Sequence, residues 1–235
     1  ALGYQQHRGK KDKTILVGRE RAYHGVGFGG ISVGGLPLNK KHFSLLDNVD
    51  HIVTTHNLEK NAFSRGIPEW GSELADDLLS IIEKHGADRI AAFITEPMAG
   101  STGVLIPPKG YLEKIREICT EHDILLIFDE VITGFGRLGT SFAAQYFDVI
   151  PDMIVCAKGL TSGTVPMGAV MVKNEIYDTY QDGDPKTIDL FHGYTYSAHP
   201  LAAAALIATL EVYTEEGLFD QAAEIAPYWE EALHS

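Results

Sequence analysis

Short apolar runs almost free of charge recur along the chain at residues 15–17, 90–94, 124–128, 153–156 and 169–172. Their continuity predicts strands of a parallel sheet covered on both faces, since a strand with one wet face alternates polar with apolar positions. Helical spacing fills several of the intervals. Leu74, Leu78, Ile81 and Ile82 fall at 3/4 spacing between Ser72, read as an N-cap, and Gly86, read as a stop. Tyr111, Leu112, Ile115, Ile118 and Cys119 share one helical face after Pro107-Pro108. A further, Ala-rich helix is predicted from Pro200 to about residue 216. Strands alternating with helices predict an α/β fold, a largely parallel sheet with helices on both faces. Residues 1–9 resemble the last turns of a helix closing on Gly9, and residues 227–235 read as a helix still running. The expectation from these ends is a stretch from the middle of a longer protein.

Composition narrows the function classes. The chain has 235 residues, 45% hydrophobic and 22% charged, enough for a sizeable core and unlike a disordered chain. Its formal net charge of −13 argues against wrapping nucleic acid or lying on an anionic membrane. No apolar run approaches the ~18 residues of a membrane span. Cys119 and Cys156 sit in apolar stretches and read as reduced core residues, which predicts a cytoplasmic setting. The ten histidines show no metal-ligand spacing.

In a parallel α/β sheet, ligands bind beyond the carboxyl ends of the strands. The residues found there are Tyr23-His24-Gly25, Glu96-Pro97-Met98-Ala99-Gly100, Asp129-Glu130-Val131 and Lys158-Gly159. Taken alone, a strand-end Asp is most often a turn or cap residue and a lone Lys a solvated one. Two tempting motifs are set aside. Gly25-Val26-Gly27-Phe28-Gly29-Gly30 satisfies the dinucleotide fingerprint, but the following Ile31-Ser32-Val33-Gly34-Gly35-Leu36-Pro37 is not expected to be helical. Ala99-Gly100-Ser101-Thr102-Gly103 nearly matches a nucleophile elbow, but the extended stretch expected after it does not supply the helix an elbow needs.

Taken together, the strand-end residues are far more specific. Phe128-Asp129-Glu130-Val131-Ile132-Thr133-Gly134-Phe135-Gly136-Arg137 is followed by Ala157-Lys158-Gly159, with Lys158 29 residues after Asp129. With Arg21-Ala22-Tyr23-His24-Gly25, Glu96-Pro97-Met98-Ala99-Gly100 and His192-Gly193-Tyr194-Thr195-Tyr196-Ser197-Ala198-His199-Pro200, this pattern closely resembles the class III aminotransferases of the fold type I pyridoxal phosphate enzymes. Asn61-Ala62-Phe63-Ser64-Arg65-Gly66 and the Gly193–Ser197 segment most resemble the ω-amino acid (β-alanine):pyruvate aminotransferases.

The resemblance implies a site. Lys158 would form the Schiff base with pyridoxal 5′-phosphate, and its freed amine would move a proton at the substrate carbon. Asp129 would keep the pyridine nitrogen protonated through a charge-assisted hydrogen bond. Val131 would pack on one face of the ring and Tyr23 stack on the other. Glu96 matches a family carboxylate lining the cofactor pocket, with a buried structural acid as the alternative, and His24 matches the motif as a cofactor-binding position without a catalytic role. Thr195 would reach the cofactor phosphate of the neighbouring subunit, which implies a homodimer with shared active sites. Many class III members carry Gln where this chain has Ile132, and a hydrophobic residue there favours the ω-amino acid subgroup. The implied substrates are an amino donor such as β-alanine, and pyruvate or another oxo acid. Residues 1–214 would form the cofactor-binding large domain and 215–235 the start of a C-terminal small domain. Another pyridoxal enzyme on the same scaffold, an aminomutase or racemase, and a non-catalytic fragment are the alternatives.

Overall fold

The computed structural model describes residues 1–181, 186 and 190–235. Six strands form one sheet: β1 (Ile15–Arg19), β2 (Val49–Ile52), β3 (Ile90–Thr95), β4 (Leu125–Asp129), β5 (Met153–Cys156) and β6 (Ala169–Val172), in the order β2-β1-β3-β4-β5-β6. All neighbouring pairs are parallel except β5 and β6, which are antiparallel. The five apolar runs are all strands. Strand β2 has no such run, because Asp50 and His51 interrupt it. It forms an edge whose Asp50 pairs with Lys84 and His85, so its polar positions are satisfied outside the sheet. The reversal of β6 follows from its connection. The residues between β5 and β6 hold only a short 3₁₀ turn, and a parallel crossover usually requires a packed helix.

The helices are α1 (Leu2–His7), α2 (Phe28–Val33), α3 (Pro37–Lys40), α4 (Asp77–His85), α5 (Tyr111–Glu121), α6 (Ala143–Tyr146), α7 (Asn174–Gln181), α8 (Pro200–Glu215) and α9 (Leu218–His234). The periodicity placed α4, α5 and α8 correctly, but Ser72 is not a cap: a 3₁₀ turn, Ser72–Asp76, precedes α4 and makes no side-chain capping bond. The segment expected to resist helix formation contains α2. Its β-branched residues Ile31 and Val33 are buried, and packing overrides their weak propensity. The break falls at Gly34, ahead of Pro37, so the prolyl ring never enters the helix. At six residues, and separated from β1 by a loop, α2 does not restore the dinucleotide reading.

Each sheet face has its own core, which is why β1, β3, β4 and β5 read as unbroken apolar runs; the apolar edge strand β6 is instead largely exposed. On one face Ile15, Val17, Phe93, Leu126 and Phe128 pack against Leu78 and Ile81 of α4 and Tyr111, Leu112 and Ile115 of α5. On the other, Ala92, Leu125 and Met153 pack against Tyr4 of α1 and Ile176 of α7. Full burial of each large aliphatic or aromatic side chain contributes about 1.5–3 kcal/mol. This double-sided core anchors the strands and fixes where their carboxyl ends emerge.

Candidate active site

Strands β1, β3, β4 and β5 are consecutive neighbours, so the residues at their carboxyl ends lie side by side. Tyr23 and His24 come from the loop after β1, Glu96 from the end of β3, and Asp129 is the last residue of β4. Lys158 opens the turn after β5. These side chains, with Val131 and Ile132, line one cavity of about 150 Å³. A larger cleft of about 590 Å³ adjoins it over Leu16, Ile94 and Ile127 and shares His24 and Asp129.

Asp129 is 8% exposed. One carboxylate oxygen lies 2.8 Å from His24 Nδ1, and the other accepts the Val131 N–H at 3.1 Å. The His24 side chain is 2% exposed, and its Nε2 is buried with no partner among the described residues. Glu96 Oε2 accepts the Tyr23 N–H at 3.1 Å. Burial pushes the Glu96 carboxyl above the usual range, and the Tyr23 N–H and the nearby His24 and Arg19 only partly offset it. Buried Arg19 donates to the Glu96 backbone carbonyl at 3.4 Å. Glu96 thus lines the cavity and also seats the backbone from which the Tyr23 ring projects.

Lys158 is exposed toward solvent, and its amine makes no hydrogen bond or ion pair among the described residues. Its φ of +44° is left-handed, a conformation that costs a non-glycine residue about 1–2 kcal/mol. The turn compensates with backbone bonds from Leu160 to Ala157 O at 3.0 Å and from Gly163 to Lys158 O at 3.1 Å. Strain of this kind persists where surrounding structure over-determines it, commonly at functional sites.

Sequence reasoning passed over Glu130. It is fully buried, and its carboxylate accepts from Ala143 N at 2.5 Å, Ala144 N at 2.9 Å and Thr133 Oγ1 at 3.0 Å. Burial pushes its carboxyl up despite these donors. By tying residues 130–133 to the start of α6 it sets where Val131 and Ile132 stand. The available signal was an acid inside an apolar segment, directly between two site residues. Ile132 packs over Gly100, where an added Cβ would lie 2.8 Å from Ile132 Cδ1. Thr195 is exposed and is not among the residues lining this cavity.

A hydrogen-bonded carboxylate, an unpaired amine, an aromatic ring and two aliphatic side chains around one cavity suit a flat heteroaromatic aldehyde with a basic ring nitrogen. Fold and site together define an α/β domain of the pyridoxal phosphate type. The family model for class-III aminotransferases matches residues 1–235, and the chain belongs to that family, whose cofactor is pyridoxal 5′-phosphate. It is 62% identical to the omega-aminotransferase of Caulobacter vibrioides, over 100% of this chain and 54% of that protein. It is 51% identical to the beta-alanine–pyruvate aminotransferase of Pseudomonas aeruginosa, over 100% of this chain and 53% of that one. A solved structure of a transaminase with L-alanine superposes with a TM-score of 0.91 at 35% identity, covering 99% of this chain and 55% of the other. The chain spans about half the length of the curated relatives it matches.

Proposed function

We propose that the whole protein is a pyridoxal 5′-phosphate-dependent aminotransferase that moves an amino group from an ω-amino acid or amine, such as β-alanine, to pyruvate. The observation that carries this reading is that Lys158, whose amine has no partner among the described residues, and the Asp129–His24 pair line one cavity. The names of the relatives at 51–62% identity support the ω-amino acid subgroup, as does Ile132 in place of Gln. The cofactor, when bound, supplies an aldehyde carbon that takes up the amino group and a ring that draws electrons from the substrate carbon.

The chain's own residues do the rest. Lys158 would hold the cofactor covalently, and its amine would move a proton at the substrate carbon. Asp129 holds a proton at the ring nitrogen, and His24 orients Asp129. Val131 and Tyr23 sandwich the ring, Tyr23 being seated by Glu96. Thr195 binds the phosphate held by a second copy of the chain, which makes the assembly a homodimer with shared sites. Residues 1–214 form the large domain, and 215–235 begin the small one; the division falls at the end of α8, just before the left-handed Gly217. No helix among the described residues is long and apolar enough to cross a membrane, and we place the protein in the cytoplasm.

The test is amino transfer from β-alanine to pyruvate by the whole protein, followed by borohydride reduction and peptide mapping. The expected results are alanine formation and a pyridoxyl group on Lys158. Conversion of a single amino acid without consumption of pyruvate would favour an aminomutase or racemase instead, and a label on Lys109 or Lys173 would overturn the role of Lys158.

A further inference from the structure

The left-handed turn at Lys158 is fastened from outside by a residue the proposed function does not use. Tyr213, on α8, donates its hydroxyl to the Gly159 carbonyl at 2.7 Å. The same oxygen accepts the Ser162 N–H at 3.1 Å, so both of its acceptor positions are engaged. The Tyr213 ring is held independently. It stacks on Phe135 with centroids 6.2 Å apart and planes 26° from parallel, and it packs against Phe219 at 5.1 Å. Phe135 in turn closes over Gly159, where an added Cβ would lie 2.7 Å from the Phe135 Cβ. The Gly159–Leu160 peptide, one beyond the Lys158–Gly159 bond, is therefore tied by a phenol hydroxyl, and Gly159 is covered by a phenyl group, both from distant parts of the chain.

We propose that Tyr213 is a positioning residue for Lys158: its hydroxyl holds the Gly159–Leu160 peptide and so keeps Lys158 at the cavity it lines together with Asp129. A lysine at φ +44° has no intrinsic preference for that conformation. Relaxing φ to the ordinary negative region swings the Cα–Cβ bond and carries the amine to a new direction. The bond from Tyr213 opposes that relaxation by fixing the Gly159–Leu160 peptide, one step along the same turn. Because α8 also begins next to the Thr195 loop and ends at the proposed domain boundary, Tyr213 ties Lys158 to both. The inference rests on reading Lys158 as the lysine that bonds the cofactor.

The test uses the whole protein with Tyr213→Phe, which keeps the ring and its packing. Thr214→Val is the control, since among the described residues the Thr214 hydroxyl bonds only the Leu210 carbonyl within α8. Three readouts are taken: amide hydrogen exchange at Ser162, Gly163 and Thr164 in the cofactor-free protein, kcat and KM for the amino donor, and the site of the borohydride label. Loss of one hydrogen bond should speed exchange at these amides by roughly two- to tenfold in Tyr213→Phe. It should lower kcat by a similar factor and leave KM unchanged, while Thr214→Val changes neither. Exchange and kcat like wild type would overturn the proposal. Faster exchange with unaltered kcat would also overturn it, by showing that the turn loosens without affecting the amine. A borohydride label away from Lys158 would remove its premise and is read separately from the exchange result.

Discussion

His24 makes one side-chain hydrogen bond, to Asp129 at 2.8 Å, and its other ring nitrogen is buried without a partner among the described residues. His24→Phe therefore removes one interaction while keeping a flat ring in the same space. Asp129 would retain the Val131 N–H at 3.1 Å, in a site that leaves its side chain 10% exposed. A hydrogen bond to a charged group contributes about 1.5–3 kcal/mol. At tenfold per ~1.4 kcal/mol, kcat/KM should fall by about 10- to 150-fold if the bond matters chiefly in the transition state. His24→Asn supplies a side-chain N–H close to the position of Nδ1 and should recover a substantial part of the loss. The assay is initial-rate amino transfer from β-alanine to pyruvate, with cofactor affinity measured in parallel by fluorescence. His24→Phe with wild-type kcat/KM would refute the claim that His24 orients Asp129. Equal losses in Phe and Asn variants would refute the hydrogen bond as the cause.

Asp129→Asn keeps the shape and one acceptor but cannot stabilise a positive ring nitrogen; turnover should drop by orders of magnitude while part of the cofactor binding survives, as read by titration and steady-state rates. Glu96→Gln keeps an acceptor for the Tyr23 N–H without a buried charge. Because the folded protein pushes the Glu96 carboxyl up, the wild type loses stability as pH rises from about 4.5 through the raised value, and the variant does not. Denaturant unfolding of the cofactor-free proteins should give converging stabilities in acid and a growing advantage for Glu96→Gln as pH rises; a constant difference would show that the Glu96 carboxyl does not titrate differently in the fold.

The local pattern carried far for elements whose burial is uniform. Strands β1, β3, β4 and β5 could be read directly, because a strand buried on both faces has little room for charge; β6 is apolar although Val170, Met171 and Val172 are exposed at the sheet edge, and α5 could be read because its apolar residues repeat on one face. The strand-end motifs, with Lys158 at its fixed distance after Asp129, singled out the site and the family. Only tertiary structure decided the rest. The half-buried edge strand β2 carries Asp50 and His51 where a fully buried strand would be apolar, so its pairing with β1 could not be seen in its own residues. Helix α2 forms against local propensity because Ile31 and Val33 find a buried place. His24 meets Asp129 across 105 positions of sequence, and Tyr213 meets Gly159 across 54. Periodicity reports which face of an element is buried; which distant polar atoms meet there depends on how the sheet orders its strands, and that is a property of the assembled core.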